Sequence, residues 1–106
     1  MNITELTQKM NQLVESKGWY AENSPRPQLP RNLAISLCLE AAEVLEHFQW
    51  GEESTDRQAL ASELADVCLY LLQLADVCGI DLEQATLEKI ALNHTRTWDS
   101  TEDATR

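Results

Sequence analysis

The sequence predicts an all-α protein in which four main helices form an up-down bundle. Apolar residues recur at the spacing of helical turns, and no segment alternates polar and apolar residues as a half-buried strand does. The glycines and prolines fall between the periodic segments rather than inside them. The chain has 106 residues, so we expect a single domain over residues 1–98 and a flexible tail over residues 99–106.

The first helix is expected to run from about Thr4 to Ser16, with Gly18 as its stop. The segment that follows, from Trp19 to Pro30, contains three prolines and therefore cannot be helical. We interpret it as an extended connection, and its position before a helix suits a lid.

The second helix should begin after Asn32, whose side chain can act as the N-cap, and continue to about Gln49. Thr55 and Gln58 have the spacing of a capping box, which predicts that the third helix starts there and reaches Cys78. The polar stretch between these two helices then forms a short connection.

The fourth helix is predicted from two signals at its start. Gly79 can cap the end of the third helix, and Asp81 with Gln84 resembles another capping box. The helix should end near Thr97, and Trp98 is expected to anchor the tail.

The second and third helices are apolar on more than one side. They carry more apolar surface than one bundle of this size can hide, so we expect a homo-oligomer, either a dimer or a tetramer. The three cysteines lie in these apolar surroundings without a C-x-x-C pair, and we expect buried, reduced thiols at Cys38, Cys68 and Cys78.

Charge and composition exclude several classes of function. Eighteen acidic against eight basic residues give a net charge of −10, the wrong sign for a protein that grips polymeric nucleic acid. No apolar run is long enough to cross a bilayer, and residues 1–10 lack the apolar block of a secretory signal. We therefore expect a cytoplasmic protein without a membrane partner. Such a protein can still bind a small polyphosphate if a metal ion inverts the local charge.

Four acids stand in the two most apolar helices, namely Glu40 and Glu43 on the second and Glu63 and Asp66 on the third. Each pair is spaced i, i+3 and therefore shares one helical face. Converging carboxylates repel one another unless a cation or protons neutralise them. Carboxylate oxygens without cysteine or histidine favour Mg²⁺, with Mn²⁺ as a substitute, over Zn²⁺. The alternative is a solvated face, the usual meaning of a lone E-x-x-E pair.

The fourth helix carries Lys89, Asn93 and Arg96 at i, i+4 and i+7, which places them on one stripe. Lysine and arginine bind phosphate as a point charge and a planar fork, and asparagine can donate to a phosphate oxygen or a sugar hydroxyl. These three residues are candidates for substrate binding if the acidic cluster is a metal site. Taken alone, such a stripe is more often a solvated face.

Three aromatic residues are candidates for holding a flat base by stacking. Trp19 and Trp50 lie in the loops that flank the second helix, and Tyr70 lies one turn beyond Asp66. Core or interface packing is an equal alternative for Trp50 and Tyr70.

Other chemistries have little support in the sequence. His47 lies four residues after Glu43, but a single histidine makes a weak zinc site, so we expect it to have a surface or packing role. The E-x-x-H pairs of carboxylate di-iron bundles are absent, and so are a nucleophile elbow and a Ser, His, Asp set.

The segments PRNLAISLCLEAAEVLEHFQW (residues 30–50) and SELADVCLYLLQLADVCGIDLEQATLEKIALNHTR (residues 62–96) resemble the MazG-like nucleotide pyrophosphohydrolases. Within that family the chain is most similar to the short dCTP pyrophosphatase branch. The resemblance rests on an E-x-x-E pattern followed by an E-x-x-D pattern, and it covers nearly the whole chain from the first helix to Arg96.

The resemblance implies that the protein hydrolyses a nucleoside triphosphate to a monophosphate and pyrophosphate. It assigns Mg²⁺ coordination to the four acids. The metal would activate a water to attack the α-phosphorus, and Glu43 would orient or deprotonate that water. It assigns the base pocket to the three aromatic residues, and the sugar or phosphates to Asn93 and Arg96. The resemblance also implies assembly as dimers or as tetramers built from dimers.

The chain departs from this branch at the mouth of the pocket. The proline-rich connection from Tyr20 to Leu29 is longer than usual, and Arg96, Thr97 and Trp98 replace the ending common in the family. The preferred base therefore stays open, with dCTP or a modified deoxynucleotide as the leading expectation.

Two alternatives to the enzyme remain at this stage. One is a helical module that binds nucleotide without turnover, and the other is a structural bundle whose acids are solvated. The presence of all four acids favours the enzyme.

Overall fold

The computed structural model describes residues 1–96 and contains the four expected helices. They are α1 (Ile3–Ser16), α2 (Pro30–Glu46), α3 (Arg57–Val77) and α4 (Leu82–His94). No strand occurs in this part of the chain, so the all-α prediction is confirmed. The predicted tail over residues 99–106, the anchor at Trp98 and the helix end near Thr97 lie outside the described residues.

The caps of α1 and α4 show how the sequence sets helix ends. The Asn2 side chain accepts from the Glu5 backbone N–H at 2.9 Å, and the glycine predicted to stop α1, Gly18, has a φ of +72°. Asp81 accepts from the Gln84 backbone N–H at 3.0 Å, as one half of a capping box requires. The other half does not form, because the Gln84 side chain donates to Glu88 at 2.9 Å.

The predicted N-cap of the second helix is wrong. The helix begins three residues earlier, at Pro30, because proline fits the first turn, where its missing N–H costs nothing. Asn32 lies inside the helix, and its amide donates to the Pro27 carbonyl at 3.0 Å, which ties α2 to the proline-rich connection. The helix also ends at Glu46, three residues before the predicted Gln49.

The predicted capping box at Thr55 and Gln58 is wrong as well. Asp56 is the N-cap of α3, and its carboxylate accepts from the Ala59 backbone N–H at 3.0 Å. An aspartate also places negative charge at the positive end of the helix dipole, which threonine cannot do. The predicted end is close, because Cys78 is the C-cap.

The third helix is the centre of the fold. It packs along α2, and it also contacts α1 and α4, while α1 and α4 touch each other. Met10 and Val14 of α1 form the buried core with Leu72 of α3, and Trp19 and Tyr20 pack against it. This arrangement leaves one face of α3 free to hold the predicted acids opposite α2.

Both α2 and α3 expose a second apolar face. Leu39 is 62% exposed on α2 and Leu64 is 51% exposed on α3. The same faces carry Cys38 and Cys68, so the expected burial of the cysteines is wrong: Cys38, Cys68 and Cys78 are all free and exposed. Within the α2–α3 pair, each helix buries the face that it turns toward the other. Whether a cysteine is buried therefore depends on its position in the helical repeat and not on its residue type.

None of the four described helices has both the length and the apolar content that crossing a bilayer requires.

Candidate active site

The packing of α2 against α3 brings the four predicted acids into one electrostatic environment. Burial raises the pKa of Glu40, and a hydrogen bond with Glu43 raises it further. The negative charges of Glu43, Asp66 and Glu63 act in the same direction. Acids from both helices therefore act on a single carboxyl group, as the two i, i+3 pairs predict.

The cluster contains two buried carboxylate oxygens, one on Glu40 and one on Glu63. Glu40 Oε2 is buried and has no hydrogen-bond partner among residues 1–96. Glu63 Oε2 is also buried, and it lies against Nε2 of His47. His47 is in turn held through its Nδ1 by Ser54 Oγ at 3.0 Å. A buried carboxylate oxygen without a partner is costly, and a cation is one group that would satisfy it.

The carboxylate oxygens of these acids are of the type that a hard divalent cation prefers, but the side chains are not arranged around a common point. Within residues 1–96, no three His, Cys, Asp or Glu side chains are arranged as they stand to hold a metal ion. Repulsion among the carboxylates opposes their convergence, and the Glu63 carboxylate lies against His47 instead. Mg²⁺ needs only one or two carboxylates when phosphate oxygens and waters complete its shell. Rotation of these side chains would suffice.

An acidic cavity of about 470 Å³ opens at the end of α2 and the start of α3. It is lined by acids from both helices and by the loop between them, including Glu43, Glu46, His47, Trp50 and Glu63. Trp50 stands at its rim and is 91% exposed. The cavity is wide and polar enough for a hydrated cation and phosphate groups.

A second, aromatic cavity of about 220 Å³ lies between α1, α3 and the proline-rich connection. Its walls include Trp19, Tyr70 and Leu69, and its polar lining comes from Arg26, Gln28, Asp66 and Gln73. Because Asp66 lines this cavity while Glu43 and Glu63 line the acidic one, the carboxylate cluster stands between the two. A ligand with a flat end and an anionic end would find both environments side by side.

The three candidate aromatic residues do not meet in one place. Trp19 and Tyr70 share the aromatic cavity and are half-buried, whereas Trp50 lines the acidic cavity. The guanidinium of Arg26 lies over the Trp19 ring, 5.9 Å from its centroid, so that face of the indole is covered by a flat cation. Trp50 follows the end of α2, on the side of the acids opposite Trp19.

Of the candidate residues near the end of the described chain, Lys89 and Asn93 lie on α4 and Arg96 lies two residues beyond its end. Lys89 is exposed, Asn93 and Arg96 are half-buried, and none of them lines the acidic or the aromatic cavity. The α4 helix packs against α1 and α3. Their role in binding sugar or phosphate stays a prediction.

Sequence reasoning missed four polar residues around the aromatic cavity. Arg26 and Gln28 come from the proline-rich connection, and a loop without periodicity gave no signal for them. Gln73 lies seven residues after Asp66 and three after Tyr70, so its position on the same face as both was open to detection. Tyr20 begins the longer connection, and no sequence pattern indicated a role for it.

Tyr20 links this cavity to α1. Its hydroxyl donates to Asn11 Oδ1 at 2.6 Å, and the Asn11 amide donates to Asp76 at 2.8 Å. Burial raises the pKa of Tyr20, a hydrogen bond from Gln73 lowers it, and the charges of Asp76 and Glu15 raise it. The phenol therefore stays protonated well into the alkaline range.

Comparison with known proteins shows which family the chain resembles. A model of the MazG-like family matches residues 35–104 of the chain. A solved pyrophosphatase structure from Archaeoglobus fulgidus superimposes with a TM-score of 0.69 at 35% identity, covering 85% of this chain and 86% of that one.

Curated relatives are similar over the same region. The dCTP pyrophosphatase 1 of Homo sapiens is 41% identical and that of Mus musculus 40% identical, each over 76 residues. These matches cover 63% of this chain and 45% of each mammalian protein, so the chain spans less than half the length of these relatives. A dATP/dGTP diphosphohydrolase of Salmonella phage PMBT28 is 44% identical over 45 residues, which cover 42% of this chain and 16% of that protein.

Proposed function

This chain belongs to the MazG-like family, and from that premise we propose that it is a metal-dependent hydrolase that cleaves a nucleoside triphosphate to a nucleoside monophosphate and pyrophosphate. The observation that carries the proposal is the carboxylate cluster between α2 and α3, where burial and three neighbouring acids raise the pKa of Glu40. A carboxyl group whose charge is disfavoured by burial and by neighbouring acids would gain from a bound cation. Similarity to proteins named as a pyrophosphatase and a diphosphohydrolase supports the same chemistry.

The four acids are the proposed ligands of Mg²⁺, for which Mn²⁺ can substitute. When bound, the cation supplies neutralisation of the triphosphate charge and activation of a water for attack on the α-phosphorus. The protein has a net charge of −10 and would otherwise repel its substrate. Glu40 and Glu63 contribute the buried oxygens that a cation would satisfy.

We assign the proton-accepting role to Glu43. Its side chain is exposed and lines the acidic cavity, whereas Glu40 is half-buried and its pKa is raised. A carboxylate within reach of solvent can orient a water and take up its proton. Glu40 and Asp66, further inside the helix pair, serve better as fixed ligands.

The aromatic cavity is the proposed base site. Trp19 and Tyr70 give it the flat apolar walls on which a nucleobase stacks, a contact worth about 1–3 kcal/mol per base. Asp66 lines the same cavity, so a base held there leaves its phosphates next to the acids.

We also propose that the active form is a homo-oligomer. The outer faces of α2 and α3 expose Ile35, Leu39, Leu64 and Leu71 at between 41% and 62%. Apolar residues on adjacent turns of two neighbouring helices form a contiguous patch, which marks an interface. Two copies that pair through this patch would complete a bundle that one copy leaves half open.

The function is tested by measuring pyrophosphate release from canonical and modified nucleoside triphosphates as Mg²⁺ is titrated. We expect release that requires the metal, and a loss of at least about 100-fold in kcat for Glu43→Ala because a general base contributes that much. Glu52→Ala, in the loop beside the cavity, is the matched control and should keep wild-type rates.

Two results would contradict the proposal. One is pyrophosphate release that is equally fast in Glu43→Ala or that persists in a chelator. The other is nucleotide binding with no release from any substrate, which would instead indicate a binding module.

A further inference from the structure

Gln73 is the one polar side chain of residues 1–96 that is fully enclosed, with 3% of its surface exposed. It lines the aromatic cavity, seven residues beyond Asp66 on the same helix. Seven residues of α-helix rise by about 10 Å, so Asp66 and Gln73 mark the two ends of the cavity along α3. A buried amide at the end of a cavity with aromatic and aliphatic walls is positioned to read the polar edge of a ligand.

The orientation of the Gln73 amide is fixed from the side of the loop. Its Nε2 donates to Gln28 Oε1 at 2.7 Å. The Gln28 amide cannot turn around, because its own Nε2 donates to the backbone carbonyl of Arg26 at 2.6 Å. A carbonyl only accepts, so the sense of this chain of hydrogen bonds is set.

On the side of α1, a chain of hydrogen bonds holds Tyr20, the neighbour of Gln73. Asp76 accepts from the Asn11 amide, so Asn11 presents its oxygen to Tyr20, whose hydroxyl donates to it. Tyr20 has then used its only hydrogen and can take part with Gln73 only as an acceptor. A hydrogen bond from Gln73 is what lowers the pKa of Tyr20 against the effect of burial.

The bond to Gln28 commits one amide hydrogen of Gln73 to the protein, and Tyr20 can take the other only as an acceptor. The remaining polar atom is Oε1, an acceptor, and it makes no hydrogen bond within the described part of the chain. A ligand in the aromatic cavity therefore meets a carbonyl oxygen and not an amide N–H. Such a site favours a ligand with a hydrogen-bond donor at this position and disfavours one with an acceptor, because two oxygens that face each other are both left without a hydrogen bond.

We propose that Gln73 determines base specificity by accepting, at Oε1, a hydrogen bond from the exocyclic amino group of the nucleobase. The site then prefers bases with an amino group, such as cytosine and adenine, over their counterparts with a carbonyl oxygen there. This inference rests on the proposed function in one respect, because it takes the ligand to be a nucleotide whose phosphates lie beside the acids. Gln28 is a positioning residue that holds the amide in place.

The direct test uses dCTP and dUTP, which differ at C4, where an amino group is replaced by a carbonyl oxygen, and at the adjacent N3, which changes from acceptor to donor. We expect wild-type kcat/KM to favour dCTP by about tenfold or more, the effect of one hydrogen bond and one unsatisfied acceptor. Gln73→Leu removes the acceptor and should bring the ratio close to one, mainly by lowering the rate with dCTP. Gln58→Leu, an exposed glutamine on the same helix, is the matched control and should keep the wild-type ratio.

Gln28→Leu provides a second test that leaves Gln73 in place. Without Gln28 the Gln73 amide can rotate and present its N–H to the ligand, so the rate with dUTP should rise. A merely structural role for Gln28 would instead lower both rates together. A wild-type preference for dUTP, or an unchanged ratio in both variants, would overturn the inference.

Binding measurements separate this inference from the proposed function. Calorimetry with the α,β-imido analogues of dCTP and dUTP in Mg²⁺ reports base preference without turnover. Tighter binding of the dCTP analogue that disappears in Gln73→Leu would support the role of Gln73 even if no pyrophosphate were released. Pyrophosphate release with equal affinity for both analogues in the wild type would refute the role of Gln73 and leave the function standing.

Discussion

Glu40 is the residue whose surroundings most clearly disfavour its charge. Burial, a hydrogen bond with Glu43 and the charges of the other acids all raise its pKa above the ordinary value of 4.5. Its Oε2 has no hydrogen-bond partner within residues 1–96. In the absence of a cation these surroundings disfavour the charged form of Glu40, so the folded state loses stability when the proton leaves.

This predicts a particular dependence of stability on pH. A raised folded pKa gives a contribution that is fully present below pH 4.5 and is lost as the pH rises through the higher folded value. Glu40→Gln keeps the shape without the charge, so its free energy of unfolding in a chelator should fall less between pH 5 and 8 than that of the wild type. Urea unfolding at several pH values measures this.

Adding Mg²⁺ should restore wild-type stability at pH 8 and leave Glu40→Gln less changed. Glu22→Gln, in the exposed loop, is the control and should follow the wild type. Parallel pH profiles for the wild type and Glu40→Gln would show that the cluster does not act on Glu40.

The helix termini show how small local differences move an element. Asp56 and Thr55 are adjacent, both can cap a helix, and α3 uses Asp56, with 3.0 Å between its carboxylate and the Ala59 N–H. The start of α3 in turn sets which residues face α2, because each residue turns the helix by the same angle. Caps therefore help to decide where Glu63 and Asp66 point.

Asp56→Ala should lower the free energy of unfolding by about 1 kcal/mol, the usual cost of losing an N-cap. Thr55→Ala, one residue earlier, should change it by less than about 0.5 kcal/mol, as surface substitutions do. Denaturant titration of both variants measures the difference. If Thr55→Ala were the more damaging change, the capping box predicted from the sequence would be right after all.

The whole molecule exposes apolar faces that a single copy cannot cover, and this predicts a change in assembly. Leu39→Glu places a charge where α2 is 62% exposed and apolar. The variant should run as a monomer in size-exclusion chromatography with light scattering, because burying a charge in the interface costs several kcal/mol.

Thr86→Glu, on the exposed surface of α4, should keep the mass of the wild type. A wild-type protein that is already monomeric, or a Leu39→Glu variant of unchanged mass, would argue against pairing through the outer faces of α2 and α3.

Binding of metal and nucleotide together should also stabilise the whole molecule. At a ligand concentration 100 times its Kd, the gain is about 2.7 kcal/mol, which is several degrees in melting temperature for a domain of this size. We expect the shift only when Mg²⁺ and an α,β-imido nucleotide are both present, and a much smaller one in Glu63→Ala. A melting temperature that does not change when both ligands are added would favour the structural bundle with solvated acids.

The sequence by itself determined the helices and the acid pairs, because both follow from spacing along one helix. Capping residues, breakers and the 3.6-residue repeat act over a few neighbours, so the four helices could be predicted to within a few residues. The same repeat placed Glu40 with Glu43 and Glu63 with Asp66 on common faces.

Only the tertiary structure decided which faces meet. The packing of α2 on α3 set the acids within reach of one another, left Cys38 and Cys68 outside, and put Trp50 in a different cavity from Trp19. The orientation of Gln73 depends on partners 45 and more residues away in the chain, and no local pattern carries that information. Contacts between distant segments depend on how whole surfaces pack, which helical periodicity constrains but does not specify.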